Sequence, residues 1–384
     1  MSSDSGGGER TMAVERQVML SVAAAGPGDA AVSDLSAVHC AGDVLWLVGD
    51  ELPVLHRLTE TADGYGDSRT FELGDFVDLP EGAAAEIDVE GLDGAPDCLW
   101  LVGSHSRTRK RVDPGDDDAK VDKVLRTVDS HPNRNVLIRL PLTDGDDGLP
   151  APSEGAGNGS AALLDGDLRR ALAPDLHVGP FVDIPSKDNG LDIEGLVAVG
   201  DTLLLGLRGP VLRSWAVVLE VTPETDPVRP GRLRLGGPGP GYRIFFLDLD
   251  GLGVRDLCRA GNDVLVLAGP TMVLDGPSRL YRWRGAAKAR PHTAVRRNDL
   301  ARIVDLPFGQ GADEGTDHAE GVTLLPDEDA VLVVYDSPSP ARAVPAGVRA
   351  DVVRLRVPGP RSPGDSDASP ASARPSLLPT EDHR

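Results

Sequence analysis

Asp88-Val-Glu-Gly-Leu-Asp-Gly-Ala-Pro-Asp-Cys-Leu-Trp-Leu-Val-Gly103 places two apolar runs on either side of a Pro-Asp turn, which is hairpin chemistry. The same pattern recurs along the chain. Asp34-Leu-Ser-Ala-Val38 leads to Leu45-Trp-Leu-Val-Gly49, Asp192-Ile-Glu-Gly-Leu196 to Leu203-Leu-Leu-Gly206, Gly253-Val-Arg-Asp-Leu257 to Val264-Leu-Val-Leu-Ala268, and His318-Ala-Glu-Gly-Val322 to Val331-Leu-Val-Val-Tyr335. A unit repeated in this way is the signature of a repeat architecture. A third apolar strand follows each copy, at Val54–Leu58, Val136–Leu140, Ala216–Glu220, Leu280–Trp283 and Asp351–Leu355. A fourth is expected before the next copy, at Phe76–Leu79, Phe181–Ile184, Phe245–Asp248 and Ile303–Leu306. Four antiparallel strands per copy make a propeller blade, whose radial packing protects sheet edges. The fold class expected is all-β, a β-propeller of five blades with six as the alternative.

The fifth copy has no fourth strand after it, whereas Gln17-Val-Met-Leu-Ser-Val22 stands alone at the start of the chain. This strand is expected to complete the last blade and close the ring. One domain then spans 16–357, with tails at 1–15 and 358–384 whose composition is that of disordered segments. The long interval between the second and third copies reads as two insertions in the second blade, about 107–135 and 143–180. Helical patterns are expected at Asp117–Val128 and Ala161–Ala173.

The chain of 384 residues contains 45 glycines and 32 prolines, which suits short strands and tight turns. A formal charge of −22 opposes binding to nucleic acid or to anionic membranes. No stretch approaches the ~20 apolar residues of a membrane span, and the polar N-terminus is read as that of a cytoplasmic protein. Three scattered cysteines suggest buried thiols, neither a disulfide framework nor a zinc site.

The first strand of each blade lines the central channel of a propeller. One position per copy then forms a ring: Ser36, Glu90, Glu194, Arg255 and Glu320. Three glutamates around a narrow channel need a compensating cation, which is either Arg255 or a metal. An all-oxygen set at Glu90, Glu194 and Glu320 would suit Ca²⁺ or Mg²⁺. The alternative is a structural ring in which each glutamate accepts hydrogen bonds from the neighbouring blade. The loops leaving the second strands open on the same face and supply Asp50, Ser104, His105, Ser106, Arg208, Thr271, Asp336 and Ser337, with His318 beside Glu320. His105 is the candidate catalytic or positioning imidazole, with Glu194 and Arg255 as its candidate partners. Arg208 and Arg255 could clamp an anion or pair with the glutamates. The basic run from Arg107 to Arg126 is a candidate lid.

With Asp192-Ile-Glu-Gly-Leu196 before Leu203-Leu-Leu-Gly-Leu-Arg-Gly-Pro210, with Gly253-Val-Arg-Asp-Leu257 before Val266-Leu-Ala-Gly-Pro-Thr271, and with its Ser-His-Ser loop, the chain resembles a bacterial family known as a domain of unknown function. The resemblance runs from about Ser33 to Leu355. More distantly, the Glu-Gly-Leu strand starts are similar to those of phytase-like esterase propellers and calcium-dependent five-bladed nucleotidases. That likeness implies metal ligation by Glu90, Glu194 and Glu320 and ester hydrolysis at the channel mouth, although Arg255 departs from an all-oxygen site. Two functions are therefore expected. One is a propeller binding a small, anionic ligand at the mouth, extending to a divalent-cation-dependent ester hydrolase. The other is a non-catalytic propeller that binds a metabolite or a protein partner.

Overall fold

The computed structural model describes residues 14–355 apart from 23–33, 96, 156–158, 238, 291, 310–314, 327–328 and 345–346. The expected tail at 358–384 and residues 1–13 of the other lie outside the described residues.

Each of the five repeat copies occupies one four-stranded antiparallel unit. In unit I the strands are Leu35–Ala41, Val44–Gly49, Val54–Thr61 and Gly64–Glu72. Unit II is built from Val89–Ala95, Cys98–Gly103, Leu137–Asp144 and Ala162–Leu164. Unit III follows with Asp192–Val199, Thr202–Leu212, Trp215–Val221 and Tyr242–Asp248. Unit IV contains Gly253–Ala260, Asp263–Gly269, Arg279–Trp283 and Leu300–Asp305. Unit V takes His318–Leu324, Ala330–Asp336 and Gly347–Arg354, and its fourth strand is Val14–Leu20 from the start of the chain. The N-terminal strand thus closes the ring as expected, beginning three residues earlier than Gln17 and taking in Val14 and Glu15 of the expected tail.

The inner strands neighbour one another in the order I, II, III, IV, V, and V returns to I. The molecule is a β-propeller. Apolar side chains on the two faces of each unit feed different cores, because successive residues of a strand point to opposite faces. One core lies between each pair of neighbours: I with II, II with III, III with IV, IV with V, and V with I. Units approach closely where glycine follows the ring residue. A Cβ on Gly195 would lie 2.9 Å from the Asp256 main chain of the next unit. Outer edges are covered by neighbours: Arg232–Leu235, from unit III, pairs with Leu163 and Leu164 of unit II, and Ala294–Val295, from unit IV, pairs with Phe246 and Leu247 of unit III. Such covering removes open strand edges.

Two of the four expected fourth strands are misplaced. In unit I the strand is Gly64–Glu72, and Phe76–Leu79 lies beyond it, after a 3-10 turn. In unit II it is Ala162–Leu164, and Phe181 instead ends a 3-10 turn. Ala162–Leu164 also replaces the first part of the helix expected over Ala161–Ala173, of which Leu168–Leu172 is helical. The other insertion carries the helix Asp118–Arg126, capped by Asp117, whose side chain accepts a 2.8 Å hydrogen bond from the Lys120 amide. Among the described residues, no helix is long and apolar enough to cross a membrane.

Candidate functional site at the channel mouth

Every inner strand breaks its pairing register at the ring position. The ladder steps from Leu35 to Ala37, Val89 to Gly91, Ile193 to Gly195, Val254 to Asp256 and Ala319 to Gly321, leaving out Ser36, Glu90, Glu194, Arg255 and Glu320. A β-bulge leaves one residue unpaired and re-aims its side chain, and here all five line one cavity of about 280 Å³.

The exit loops are tied to the strands that start beside them. Asp50 N–H donates to the Asp34 carbonyl at 3.3 Å, Asp88 N–H to Asp50 at 2.8 Å, Ser104 N–H to Asp88 at 3.1 Å and Ile193 N–H to Ser104 at 2.8 Å. Asp88 and His105 hold left-handed backbone, with φ of +57° and +53°. Strain of this kind gathers at functional loops. At Gly253, where other copies carry Asp or His, a Cβ would meet the Arg208 carbonyl oxygen at 2.2 Å.

Of the two roles open to Arg208 and Arg255, clamping an anion or pairing with the glutamates, the structure shows the pairing. Arg208 lies 2.8 Å from Glu194 Oε1 and 2.6 Å from Asp192 Oδ2. Arg255 Nη1 donates to Glu320 Oε2 at 2.6 Å, lies 3.2 Å from Glu194 Oε2, and its Nη2 donates to the Pro270 carbonyl. The cation that compensates Glu194 and Glu320 is therefore guanidinium. Among the described residues no group of His, Cys, Asp and Glu is placed to hold a metal ion, and of the residues expected as Ca²⁺ or Mg²⁺ ligands, Glu194 and Glu320 pair with guanidinium while Glu90 stands apart from both pairs.

Glu90 is different. Among the described residues no cation pairs with it, and burial together with Asp88, Glu194, Asp192 and Glu320 pushes its carboxyl well above the ordinary range. Burial also raises Glu320 and Asp192, with the arginines opposing, and raises Asp50 to about 7 with help from Asp336, Asp88 and Asp34. The mouth thus holds several carboxyls that take up or release protons near neutrality.

Of the expected site residues, Ser36, Asp50, Glu90, Ser106, Glu194, Arg208, Arg255, Glu320 and Asp336 line the cavity. Ser104, His105, Thr271, His318 and Ser337 do not. Ser104 is buried behind the wall and donates to Ser106 Oγ at 2.9 Å. His105 has no exposed surface, its Nδ1 bonds the Gly103 carbonyl at 3.0 Å, and burial lowers its pKa to about 4. It is a neutral structural imidazole, so the catalytic assignment falls on a residue that does not reach the cavity. His318 pairs with Asp275 at 3.2 Å and packs edge-on to Phe308, Ser337 donates to Asp336 at 3.1 Å, and Thr271 is buried.

Arg134, Ser186 and Lys187 were not expected in the site, and Thr108 and Arg109 were expected there only as part of the candidate lid; all five line the cavity. Arg134 donates to Asp88 at 2.7 Å and also pairs with Glu86. It ends the first insertion, outside the repeat, so no repeat signal marks it. Arg109 pairs with Asp188 at 2.9 Å, and Ser186 N–H donates to the Arg107 carbonyl. These contacts join the start of the basic insertion to the loop before unit III at the rim of the cavity.

Residues 34–351 match the family model described as "Protein of unknown function (DUF3616)". The chain belongs to the DUF3616 family. Compared with curated proteins, its sequence matches none significantly. Among solved structures, this DUF3616 chain is similar to Myxococcus xanthus glutaminyl cyclase, at 9% identity over 89% of this chain and 95% of that one, with a TM-score of 0.42. It is also similar to the PQQ-bound aldose sugar dehydrogenase of Streptomyces coelicolor, at 12% identity over 89% and 97% of the two chains, with a TM-score of 0.36. A streptogramin B lyase gives 10% identity over 89% and 97%, with a TM-score of 0.35.

Proposed function

We propose that this protein binds a small polar ligand in the channel mouth, within the ring of bulged residues. The observation that carries the reading is a set of buried polar atoms on the cavity's lining residues that have no hydrogen-bond partner among the described residues: Asp50 Oδ1, Arg134 Nε, Arg208 Nε and Arg255 Nε, with Asp192 Oδ2 and Glu194 Oε2 met by arginine nitrogens only as ion pairs. Native proteins leave few such atoms unsatisfied, and each costs about 1–3 kcal/mol. Their gathering at one cavity suits partners that come from outside the chain. Binding is favoured over ester hydrolysis because the Ser-His-Ser loop brings no nucleophile to a base in the cavity: His105 is buried away from it, and Ser104 and Ser106 bond each other.

A thermal-shift screen of the full chain against polar metabolites tests this reading. At least one compound should raise the melting temperature, since a ligand that binds only the folded state stabilises it by mass action. That rise should disappear in Glu194→Gln. A screen without response, or a response that Glu194→Gln leaves intact, would contradict it.

A further inference from the structure

We propose that the mouth ligand carries a protonated amine or guanidine, seated against Asp50, Glu90 and Asp336 on the arc of units V, I and II. The inference rests on the cavity being a ligand site.

The charges of the cavity are distributed unevenly. On the side of units III and IV, Asp192, Glu194 and Glu320 already face Arg208 and Arg255. Asp88 faces Arg134, and Arg109 turns to Asp188. What is left among the described lining residues is three carboxyl groups without an ion pair, Asp50, Glu90 and Asp336, against one such cation, Lys187. The backbone holds two of these carboxyls in neighbouring positions, because Asp34 bridges to Asp336 and accepts from Asp50 N–H. Like charges placed together without compensation disfavour their ionised forms. An entering cation would relieve that repulsion without displacing any arginine, whereas an anion would have to face it.

A second observation points the same way. Asp192 and Glu194 are each 3% exposed, and Asp192 Oδ2 and Glu194 Oε2, although near arginine nitrogens, receive no hydrogen bond. Of the buried acceptors in this lining only Asp50 Oδ1 is also outside every ion pair among the described residues, and it matches a donor-only group such as ammonium or guanidinium, whereas the orphaned donors Arg134 Nε, Arg208 Nε and Arg255 Nε sit on side chains already paired with carboxylates. The cavity, about 280 Å³, is at the small end of ligand sites, about 300–1,000 Å³, so the ligand is compact.

Titration calorimetry of the full chain at about pH 7, with the similarly sized probes putrescine, butanediol and succinate, tests the inference. Putrescine should bind, and Asp50→Asn with Glu90→Gln should weaken it by about tenfold or more. Both changes swap a carboxyl for an amide of the same shape and relieve repulsion, so the variant should fold, which its melting curve checks. Putrescine binding should also release protons, giving heats that vary with the ionisation heat of the buffer, because the bound ammonium favours the ionised form of Glu90, whose proton passes to the buffer. Absence of putrescine binding overturns the cationic class. Binding of succinate or butanediol that is lost in Glu194→Gln overturns the class and leaves the mouth site standing. Putrescine binding indifferent to all three substitutions places the amine elsewhere and overturns both readings.

Discussion

Asp50 and His105 are perturbed in opposite senses by the same burial, and each gives a pH signature. Burial and three neighbouring aspartates raise Asp50 to about 7. The folded state then holds a proton that the unfolded chain has released, so the stability it contributes is complete below about pH 4 and is lost as the pH rises through about 7. Asp50→Asn should flatten that decline and raise the melting temperature at about pH 8 by roughly 1–3 °C; an unchanged pH profile would contradict the assignment. His105, lowered to about 4, acts the other way: the unfolded chain takes up its proton first, and stability is lost as the pH falls below about 6.5. Its ring should remain neutral at about pH 5 by NMR, whereas a ring titrating near 6.5 would mean an exposed imidazole. The ring residues were legible because their position repeats with the hairpin. His105 was misread because a Ser-His-Ser loop looks equally functional whether its imidazole faces a cavity or the core.

Among the elements, the strand Val14–Leu20 is the one that closes the ring. It pairs with Gly347–Arg354, touches Gly64 and Tyr65 of unit I in parallel, and buries Leu20 completely. Deleting residues 1–22 would uncover the last strand of unit V along its length, and an open edge is an aggregation site. The truncated protein should melt more than roughly 10 °C lower or precipitate; a variant of unchanged stability would mean that the ring closes without this strand. Gly195→Ala should cost about 1–3 kcal/mol by overpacking against the Asp256 backbone. Gly115→Ala, where nothing lies within 4 Å, should leave the melting curve in place. Inner and second strands were legible from their apolar runs. The outer strands of units I and II were not, because Gly64–Glu72 alternates with Gly, Asp, Ser and Arg, and Ala162–Leu164 is only three residues long. The more apolar Phe-Val-Asp segments drew the expectation instead.

Across the whole molecule, the repeat sets one charged or polar side chain per unit around an axis, and segments outside the repeat make that ring asymmetric. Arg109 and Arg134 come from the first insertion of unit II and Lys187 from the loop before unit III, and all three meet the same cavity. Their arrival there depends on packing between segments far apart in the chain, which no periodicity encodes. The partners of the arginines were open for a related reason: the sequence shows arginines near the mouth, able to clamp an anion or to pair with the glutamates, and only the fold shows them paired with Asp192, Glu194 and Glu320. The central claim is that this mouth is a ligand site. A crystal structure of the full chain, grown with the compound that raises its melting temperature most, tests the claim directly. Ordered ligand density is expected inside the ring of Ser36, Glu90, Glu194, Arg255 and Glu320. A saturating ligand bound elsewhere, with solvent alone in the mouth, would contradict it.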